Sequence, residues 1–330
     1  MRTSVDLYDA VTVPSDVSGA VRTADLSAVR SLVKVHGYAI VRGHKCDTAA
    51  AASALAEGIW EADLLAAPEA CEVRDGAVGD DGLRDEDPGG RLLGPHSDGF
   101  AYGDHLPDYF LLACHTASEA GGENYIVDGL KVLEHIDSDP ATRWAADALR
   151  SRKIDQTELA KRPSISSIVQ QTPAGRVMLR HLPFLQQPWA QSDDVTRDAE
   201  MISIFHEATA IVAAGPDTPW LKLEAGEALV LDNYRMFHGR APYKNSDRLL
   251  WRQWVWTAES KDGKPSGRGG LPLHSDSRFA DEAFLELSEA QQAELATLSL
   301  DELRKKHEDN RVGAEIGHRN AIPGRTGASL

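Results

Sequence analysis

The chain has 330 residues, of which 42% are hydrophobic and 26% are charged, and its formal net charge is −16. These values are typical of a globular protein with a sizeable core, and the strong negative charge argues against a nucleic-acid or anionic-membrane partner. Three widely spaced cysteines do not suggest a disulfide framework. The N-terminus has no signal-peptide pattern, and no apolar run is long enough to span a bilayer. We therefore expect a soluble cytoplasmic protein.

The N-terminal part of the chain alternates helix and strand signals. Residues 25–37 predict an amphipathic helix, opened by an N-capping aspartate and closed by a glycine. A short strand is predicted at 38–41, and an Ala-rich helix is predicted over roughly 47–66. Residues 72–94 are acidic and rich in glycine, and they lack an apolar period, so they predict a mobile loop.

The middle of the chain is rich in predicted strands. They cover 108–117, 123–127, a hairpin within 172–182, two short strands within 218–231, and a strand around 248–256. Helices are predicted over 128–151, with a break at Asp139-Pro140, over 193–214 and over 281–310. Because strands cluster between residues 90 and 257, with helices before and after, the pattern predicts one β core with helical flanks.

Two arginines, Arg248 and Arg252, lie four residues apart in an apolar run. In a strand they share one face with Leu250, Trp254 and Trp256, and both faces of the run are largely apolar, which is typical of a strand buried on both sides. A buried guanidinium is costly unless an anion pairs with it. The run therefore predicts a buried carboxylate. The neighbouring histidine, His238, is expected in a short turn and suggests a metal beside that carboxylate.

Four His-x-Asp sequences occur, and they begin at His96, His135, His274 and His307. In an extended strand such a pair lies on one face, and with a distant histidine it forms the two-histidine, one-carboxylate triad of non-haem Fe(II) sites. His135 and His307 fall in predicted helices, where residues i and i+2 diverge by about 200°, and His274 falls in a Gly/Pro loop. Only His96 precedes a predicted strand, upstream of His238 and the arginine pair. The predicted ligands are His96, Asp98 and His238.

The order of the motifs carries a family resemblance. His-x-Asp is followed by Gly-Gly-Glu-x at 121–124, Asp-Asn-x-Arg-Met-x-His-Gly-Arg at 232–240 and Asp-Arg-x-x-x-Arg at 247–252. Over roughly residues 27–257 this set resembles the taurine dioxygenase and clavaminate synthase superfamily of Fe(II)/2-oxoglutarate oxygenases.

The resemblance implies a fold and a domain organisation. The expected class is α+β with a mainly β core, in which a double-stranded β-helix (jelly-roll) has flanking helices. We expect a single oxygenase domain over 1–330, with the core at about 90–257, an N-terminal flank at 1–89 and a C-terminal extension at 258–330.

The resemblance also implies roles for residues beyond the metal ligands. Arg248 matches the arginine that binds the distal carboxylate of 2-oxoglutarate, for which a planar guanidinium is well suited. Asn124 occupies a position that usually holds a hydroxyl residue, and its amide is expected to donate the same hydrogen bond to the co-substrate. Arg252 matches a position that often meets a substrate anion.

The aromatic residues near the predicted site have two interpretations. Phe100 and Tyr102 are candidate substrate-binding residues, and Trp254 and Trp256 are further candidates for the pocket wall. Core packing accounts for all four equally well.

The implied reaction is hydroxylation, desaturation or cyclisation of a small molecule. The expected cofactors are Fe(II), 2-oxoglutarate and O2, with succinate and CO2 as co-products. An amino-acid derivative or a natural-product intermediate is the expected substrate. Two alternatives stay open, a zinc hydrolase with the same ligands and a non-catalytic jelly-roll binding protein, although a hydrolase would have no use for two buried arginines. Any oligomer is expected to form through the C-terminal helices.

Overall fold

The computed structural model describes residues 8, 10–14, 20–67, 70–74, 92–103, 105–156, 164–244 and 247–263. Its helices are α1 (Leu26–His36), α2 (Ala49–Trp60), α3 (Gly129–Ser138), α4 (Arg143–Ser151) and α5 (Val195–Ala213). Its strands are β1 (Arg22–Thr23), β2 (Tyr38–Val41), β3 (Leu64–Ala66), β4 (Cys71–Arg74), β5 (Leu93–His96), β6 (Tyr109–Thr116), β7 (Ala120–Gly121), β8 (Asn124–Asp128), β9 (Ile154–Asp155), β10 (Ile165–Ser166), β11 (Val169–Gln171), β12 (Val177–Leu179), β13 (Gln187–Pro188), β14 (Trp220–Leu221), β15 (Ala228–Asp232), β16 (Met236–Arg240), β17 (Tyr243–Lys244) and β18 (Leu249–Thr257). In these ranges the fold is mixed α and β with mostly β structure, and no helix there is both long and apolar enough to cross a bilayer.

The larger sheet has its strands in the order β1-β2-β15-β6-β18-β3, with β4 also paired to β18. Strand β15 shows why this sheet is buried on both faces, because successive side chains of a strand point in opposite directions. Ala228 and Val230 pack in one apolar cluster with residues of α1 and α2. Leu229 and Leu231 pack in a second cluster, which includes residues of the smaller sheet.

The smaller sheet has the order β14-β8-β16-β5. On β8, Tyr125 and Val127 pack against α3, α4 and α5, whereas Ile126 belongs to the cluster shared with the larger sheet. The molecule is therefore layered as helices, sheet, sheet and helices. The remaining pairings are short: β10-β9-β13, β11-β12 and β17-β7. The space between the two main sheets is the interior that holds the candidate site.

The ends of the first two helices show where local signals succeed and fail. The Asp25 side chain accepts the Ser27 N–H at 2.9 Å and Gly37 has a φ of 80°, so the predicted start and end of α1 are confirmed. The prediction that the next helix reaches residue 66 is wrong, because β3 occupies 64–66 and pairs with β18. Glu61, with a φ of 46°, turns the chain between the two elements.

The predicted mobile loop at 72–94 is wrong at both of its ends. Residues 72–74 belong to β4, which pairs with β18, and residues 93–94 belong to β5, which pairs with β16. A partner strand far along the chain stabilises each end, and local composition carries no signal of it. Residues 75–91, the predicted helix at 281–310 and most of the predicted C-terminal extension lie outside the described residues.

The predicted strands at 108–117 and 123–127 are confirmed as β6 and β8, and the 172–182 hairpin is confirmed in the pairing of β11 with β12. The prediction of a turn around His238 is wrong, because His238 lies in the middle of β16 between β8 and β5. The turn comes earlier, where the Asp232 carboxylate accepts the N–H groups of Tyr234 and Arg235 at 3.0 and 3.2 Å.

Candidate metal centre

Strands β5 and β16 bring the two predicted histidine ligands together. His96 is the last residue of β5 and pairs directly with His238, and their ring centroids are 4.3 Å apart. His96 thus ends a strand, which corrects the prediction that it precedes one. Asp98 lies in the bend that follows, not in an extended segment. Its Oδ1 is 3.4 Å from His96 Nε2 and 3.8 Å from His238 Nε2.

The three side chains fit a divalent metal. Their ligand atoms all lie within 4.8 Å of one another. In the part of the chain that the structure describes, no other group of three or more His, Cys, Asp and Glu side chains converges in this way. Two metal–ligand bonds of about 2.1 Å at a right angle place the ligand atoms about 3 Å apart, which is comparable with the 3.4 and 3.8 Å from Asp98 Oδ1 to the two histidine nitrogens. His96 Nδ1 lies 3.0 Å from the Gly94 carbonyl and donates to it, so Nε2 offers its lone pair to the centre.

The electrostatics put His238 and Asp98 in the protonation states that a metal requires. Burial, together with the charges of His96 and Arg252, lowers the pKa of His238 to about 3 against the opposing effect of Asp98. Burial alone would raise the pKa of Asp98, but Arg252 and the two histidines hold it far below its usual value. The centre therefore has a neutral imidazole at His238 and an ionised carboxylate at Asp98 at neutral pH.

The other His-x-Asp sequences are not part of this centre as far as the structure describes them. His135 lies in α3, as predicted, and its side chain is exposed. His274 and His307 lie outside the described residues.

Asn233, which the sequence analysis did not assign to the site, holds the backbone of Asp98 on both sides. Its Oδ1 accepts the Asp98 N–H at 2.9 Å, and its Nδ2 donates to the Asp98 carbonyl at 3.0 Å and to the Pro107 carbonyl at 2.8 Å. The side chain is fully buried in the turn before β16. One amide therefore joins the segment that carries Asp98 to the strand that carries His238.

His181 holds the same segment from the opposite side. It donates its backbone N–H to Ser97 Oγ at 3.1 Å, accepts the Ser97 N–H at 2.9 Å, and its Nδ1 lies 2.7 Å from the Pro95 carbonyl. No local sequence signal marks His181 for this role. Its ring stacks on Phe237, on the outer side of β16.

Two glycines allow close approach at the centre. Gly99, directly after Asp98, has a φ of 94°, and a Cβ there would lie 2.3 Å from the Pro107 side chain. A Cβ on Gly239, directly after His238, would lie 2.2 Å from the Tyr125 ring. A larger residue at either position would displace a ligand-bearing segment.

Strand β18 reaches the centre from the larger sheet. Leu250 and Trp254 face the cluster between the sheets, and Trp251 and Val255 pack with the cluster on the other side, as predicted. Arg252 Nη1 lies 3.6 Å from Asp98 Oδ2, so this arginine, which is partly exposed, pairs with a buried carboxylate of the protein itself.

Arg248 and Asn124 are both buried, with 4% of each residue exposed. Arg248 lies just before β18, where the register shifts, and its guanidinium is 4.6 Å from the centre of the Tyr243 ring. Burial raises the pKa of the Cys114 thiol to about 11, and the positive charge of Arg248 opposes this effect. The Arg248 guanidinium therefore lies near Cys114, an interior residue of β6. Asn124 lies two residues before Ile126 on β8, so its side chain faces the same interior. Their contact with a co-substrate stays a prediction.

The predicted substrate-binding aromatics are buried beside the centre. The Arg180 guanidinium lies 4.6 Å from the centre of the Phe100 ring. Tyr102 makes edge-to-face contacts with Trp254 and Trp256, at 5.6 and 5.0 Å between ring centroids. These contacts are core packing, and a contact with substrate stays a prediction.

Comparisons with known proteins bear on the family and the fold of the chain. The sequence model of the family described as taurine catabolism dioxygenase TauD, TfdA family, matches residues 8–254. No curated protein sequence matches the chain significantly.

Solved structures resemble the chain in fold. AAD-2 in complex with Mn(II) and N-oxalylglycine aligns with a TM-score of 0.53 at 16% identity, over 76% of this chain and 95% of that one. Asparagine oxygenase in complex with Fe(II), 2S,3S-3-hydroxyasparagine and succinate aligns with a TM-score of 0.51 at 18% identity, over 70% and 77%. The PvcB protein from Pseudomonas aeruginosa aligns with a TM-score of 0.50 at 14% identity, over 70% and 79%. At these identities the likeness is one of fold.

Proposed function

The chain belongs to the TauD/TfdA family of dioxygenases, and from that premise we propose that it is an Fe(II)- and 2-oxoglutarate-dependent oxygenase of a small molecule. The observation that carries the proposal is the convergence of His96, Asp98 and His238 between the two main sheets. Two imidazoles and one carboxylate, with open positions beside them, are the ligands typical of non-haem Fe(II) oxygenases.

The fold that we propose for the two facing sheets is a double-stranded β-helix. We propose a single oxygenase domain over 1–330, with its core at about 90–257. The shared apolar cluster between the sheets and the family match over 8–254 support both statements.

Each ligand has a defined donor atom in this proposal. His96 Nε2, Asp98 Oδ1 and His238 Nε2 would hold the iron, which leaves three positions of an octahedral ion open. When bound, Fe(II) and 2-oxoglutarate together activate dioxygen, so that decarboxylation to succinate and CO2 takes up one oxygen atom and the substrate is oxidised with the other. The chain fixes the ligands before the metal arrives, since Asn233 and His181 hold the backbone around Asp98.

Arg248 is proposed to bind the distal carboxylate of 2-oxoglutarate. The buried Arg248 guanidinium, which lies near Cys114 of β6, can form two parallel hydrogen bonds with a carboxylate. The Tyr243 ring stacks against this guanidinium and limits its orientations. Asn124 is proposed as a second donor to the same carboxylate, because it is buried on the interior face of β8.

The substrate class that we propose is an amino acid or a derivative of one. The fold shared with asparagine oxygenase, whose structure holds 3-hydroxyasparagine, supports this class. Arg252 is proposed as the contact for a substrate anion, because its guanidinium lies beside Asp98 at the edge of the centre. Phe100 and Tyr102 are proposed as wall residues of the same pocket.

The test measures succinate formed from 2-oxoglutarate in air, with and without Fe(II) and with a panel of amino acids. We expect succinate formation that requires Fe(II) and rises with the right substrate. Asp98→Ala should reduce it to background. The matched control is Asp137→Ala, which removes the carboxylate of the exposed His-x-Asp sequence on α3 and should leave the rate unchanged.

Two results would contradict the proposal. Hydrolytic activity with Zn(II) that needs no 2-oxoglutarate would indicate a hydrolase with the same ligands. A protein that consumes neither oxygen nor 2-oxoglutarate with Fe(II), ascorbate and the whole panel would indicate a binding protein.

A further inference from the structure

The two carboxylate oxygens of Asp98 have different surroundings. Oδ1 faces the Nε2 atoms of His96 and His238, at 3.4 and 3.8 Å. Oδ2 accepts a hydrogen bond from the indole N–H of Trp254 at 2.8 Å, and Arg252 lies 3.6 Å from the same oxygen. The carboxylate is therefore oriented with one oxygen toward the metal position and the other toward β18.

The position of the Trp254 ring is fixed by its own neighbours. Trp254 pairs with Phe110 across β18 and β6, and Phe110 stacks on the ring of His238. The Arg252 guanidinium lies 4.5 Å from the centre of the indole, and the edge of Tyr102 meets it at 5.6 Å. These contacts aim the indole N–H at Asp98 without help from the metal.

The chemistry of an indole suits this position. An indole N–H donates one hydrogen bond and has no lone pair to offer a metal, and it carries no charge. A carboxylate whose second oxygen is free can bind a metal through both oxygens, which would occupy one more position. An octahedral ion with three protein ligands needs its three other positions for the two donor atoms of 2-oxoglutarate and for dioxygen.

We propose that Trp254 is a positioning residue that keeps Asp98 a one-oxygen ligand, so that three metal positions stay open for the co-substrates. The inference rests on the proposed function, since it concerns the same metal centre. Arg252 is also the proposed contact for a substrate anion, whereas the neutral indole of Trp254 donates its single N–H to Oδ2. Trp254 therefore holds Oδ2 throughout the reaction, whether or not substrate is bound.

The chain offers a matched control on the same strand. Trp256 lies two residues further along β18, its indole N–H donates to the His105 carbonyl at 2.8 Å, and its ring also meets the edge of Tyr102. Trp254→Phe and Trp256→Phe each remove one indole hydrogen bond, but only the first of these bonds reaches Asp98. Phenylalanine at 254 keeps a ring against Arg252 and Tyr102, so we expect the fold to persist.

The experiment uses Mn(II), which binds without turnover, in the full-length protein with 13C-labelled aspartate carboxylates. Infrared difference spectra on addition of Mn(II) report the separation between the two carboxylate stretches, which is wide for one-oxygen and narrow for two-oxygen binding. Calorimetry of the Mn(II) protein gives the Kd for 2-oxoglutarate. We expect a wide separation in both wild type and Trp256→Phe, and the same Kd for 2-oxoglutarate in these two proteins. Trp254→Phe should show narrow separation and a Kd raised at least about tenfold.

A wide separation together with the wild-type Kd in Trp254→Phe would overturn the role of Trp254 and leave the proposed function standing. Mn(II) uptake that is equal in wild type and Asp98→Ala would overturn the metal centre itself, and the inference with it.

Discussion

Two pairs of histidines lie on opposite sides of β16, and they differ in what surrounds them. His96 and His238 face the space between the sheets, where their Nε2 atoms converge on a carboxylate. His181 and His206 lie on the outer side, where the His181 ring stacks on Phe237. There the Nδ1 of His181 lies 2.7 Å from a backbone carbonyl, and the Nε2 of His206 lies 2.9 Å from the Gln186 side-chain oxygen.

Protonation does not distinguish His238 from the outer pair. Burial lowers the pKa of His206 to about 4 and that of His238 to about 3, and burial, with the charge of His206, lowers the pKa of His181 well below its usual value. All three are neutral at neutral pH. What differs is geometry: the outer rings meet edge to face at 5.3 Å, and within the described ranges they belong to no cluster of potential metal ligands with a carboxylate. A buried neutral histidine is therefore weak evidence for a metal, whereas convergence with a carboxylate is strong evidence.

The largest expected effect separates the two pairs by metal content. His238→Ala removes one of three ligands, so the purified protein reconstituted with Fe(II) should retain almost no bound metal. His206→Ala removes an equally buried imidazole from the outer pair and should keep the wild-type metal stoichiometry. Metal analysis after gel filtration checks both variants. Equal metal content in the two variants would show that the inner pair is not the metal site.

The next effect concerns the co-substrate. Removing one partner of a buried charged pair costs about 3–5 kcal/mol, which is at least about a hundredfold in affinity. Arg248→Ala should raise the KM for 2-oxoglutarate by that factor, whereas Arg252→Ala should act mainly on the KM for the main substrate. Steady-state kinetics with each compound varied in turn distinguishes them, and reversed effects would exchange the two roles.

A smaller effect is expected from the outer pair, on stability. The pKa of His206 falls from 6.5 in the unfolded chain to about 4 in the fold, so between these pH values the unfolded chain binds a proton that the folded chain does not. Stability is therefore lost as the pH falls from 6.5 toward 4, by roughly 3 kcal/mol from this residue. The free energy of unfolding, measured with urea on the metal-free proteins, should depend less on pH in His206→Gln than in the wild type. Identical pH profiles would contradict the buried neutral state of His206.

The smallest effect is expected from the backbone support of Asp98. Substitution of residues that orient metal ligands costs about 10–100-fold in metal affinity. Asn233→Ala should therefore weaken Fe(II) binding by that amount while leaving a folded protein. Gln186→Ala, which breaks a side-chain hydrogen bond of the outer pair, is the control and should leave the metal affinity unchanged. Competition with a chelator measures both affinities, and a loss shared by the two variants would indicate general loosening of the fold.

The sequence predicts this molecule well where the signal is local. Apolar runs identify β6, β8 and β18, and capping residues identify the start and end of α1. It fails where a strand depends on a distant partner, as in β3, β4 and β5, whose own residues have little strand character. The turn predicted at His238 fails for the same reason, because two neighbouring strands hold that residue in β16.

The candidate site divides in the same way. The motif order predicts His96, Asp98 and His238, since these residue types are themselves the chemistry. The contacts of the residues that orient these side chains cannot be predicted from local sequence. Asn233, His181 and Trp254 contact residues that are 135, 84 and 156 positions away in the chain, respectively. Asn233 lies inside the motif at 232–240, but nothing in that motif indicates its contact with residue 98, and His181 and Trp254 have no spacing relative to the proposed ligands that marks a role. The sequence predicts the proposed ligands, and the fold reveals the residues that orient them.

The most direct test of the central claim is an anaerobic titration of the metal-free protein with Fe(II) and 2-oxoglutarate, followed by visible absorption. A 2-keto acid that chelates Fe(II) through its keto and carboxylate oxygens gives a charge-transfer band that neither compound gives alone. We predict this band in the wild type after both additions, and its absence in His238→Ala and Asp98→Ala. A band that persists in these variants, or a wild type that binds Fe(II) and gives no band with 2-oxoglutarate, would contradict the account.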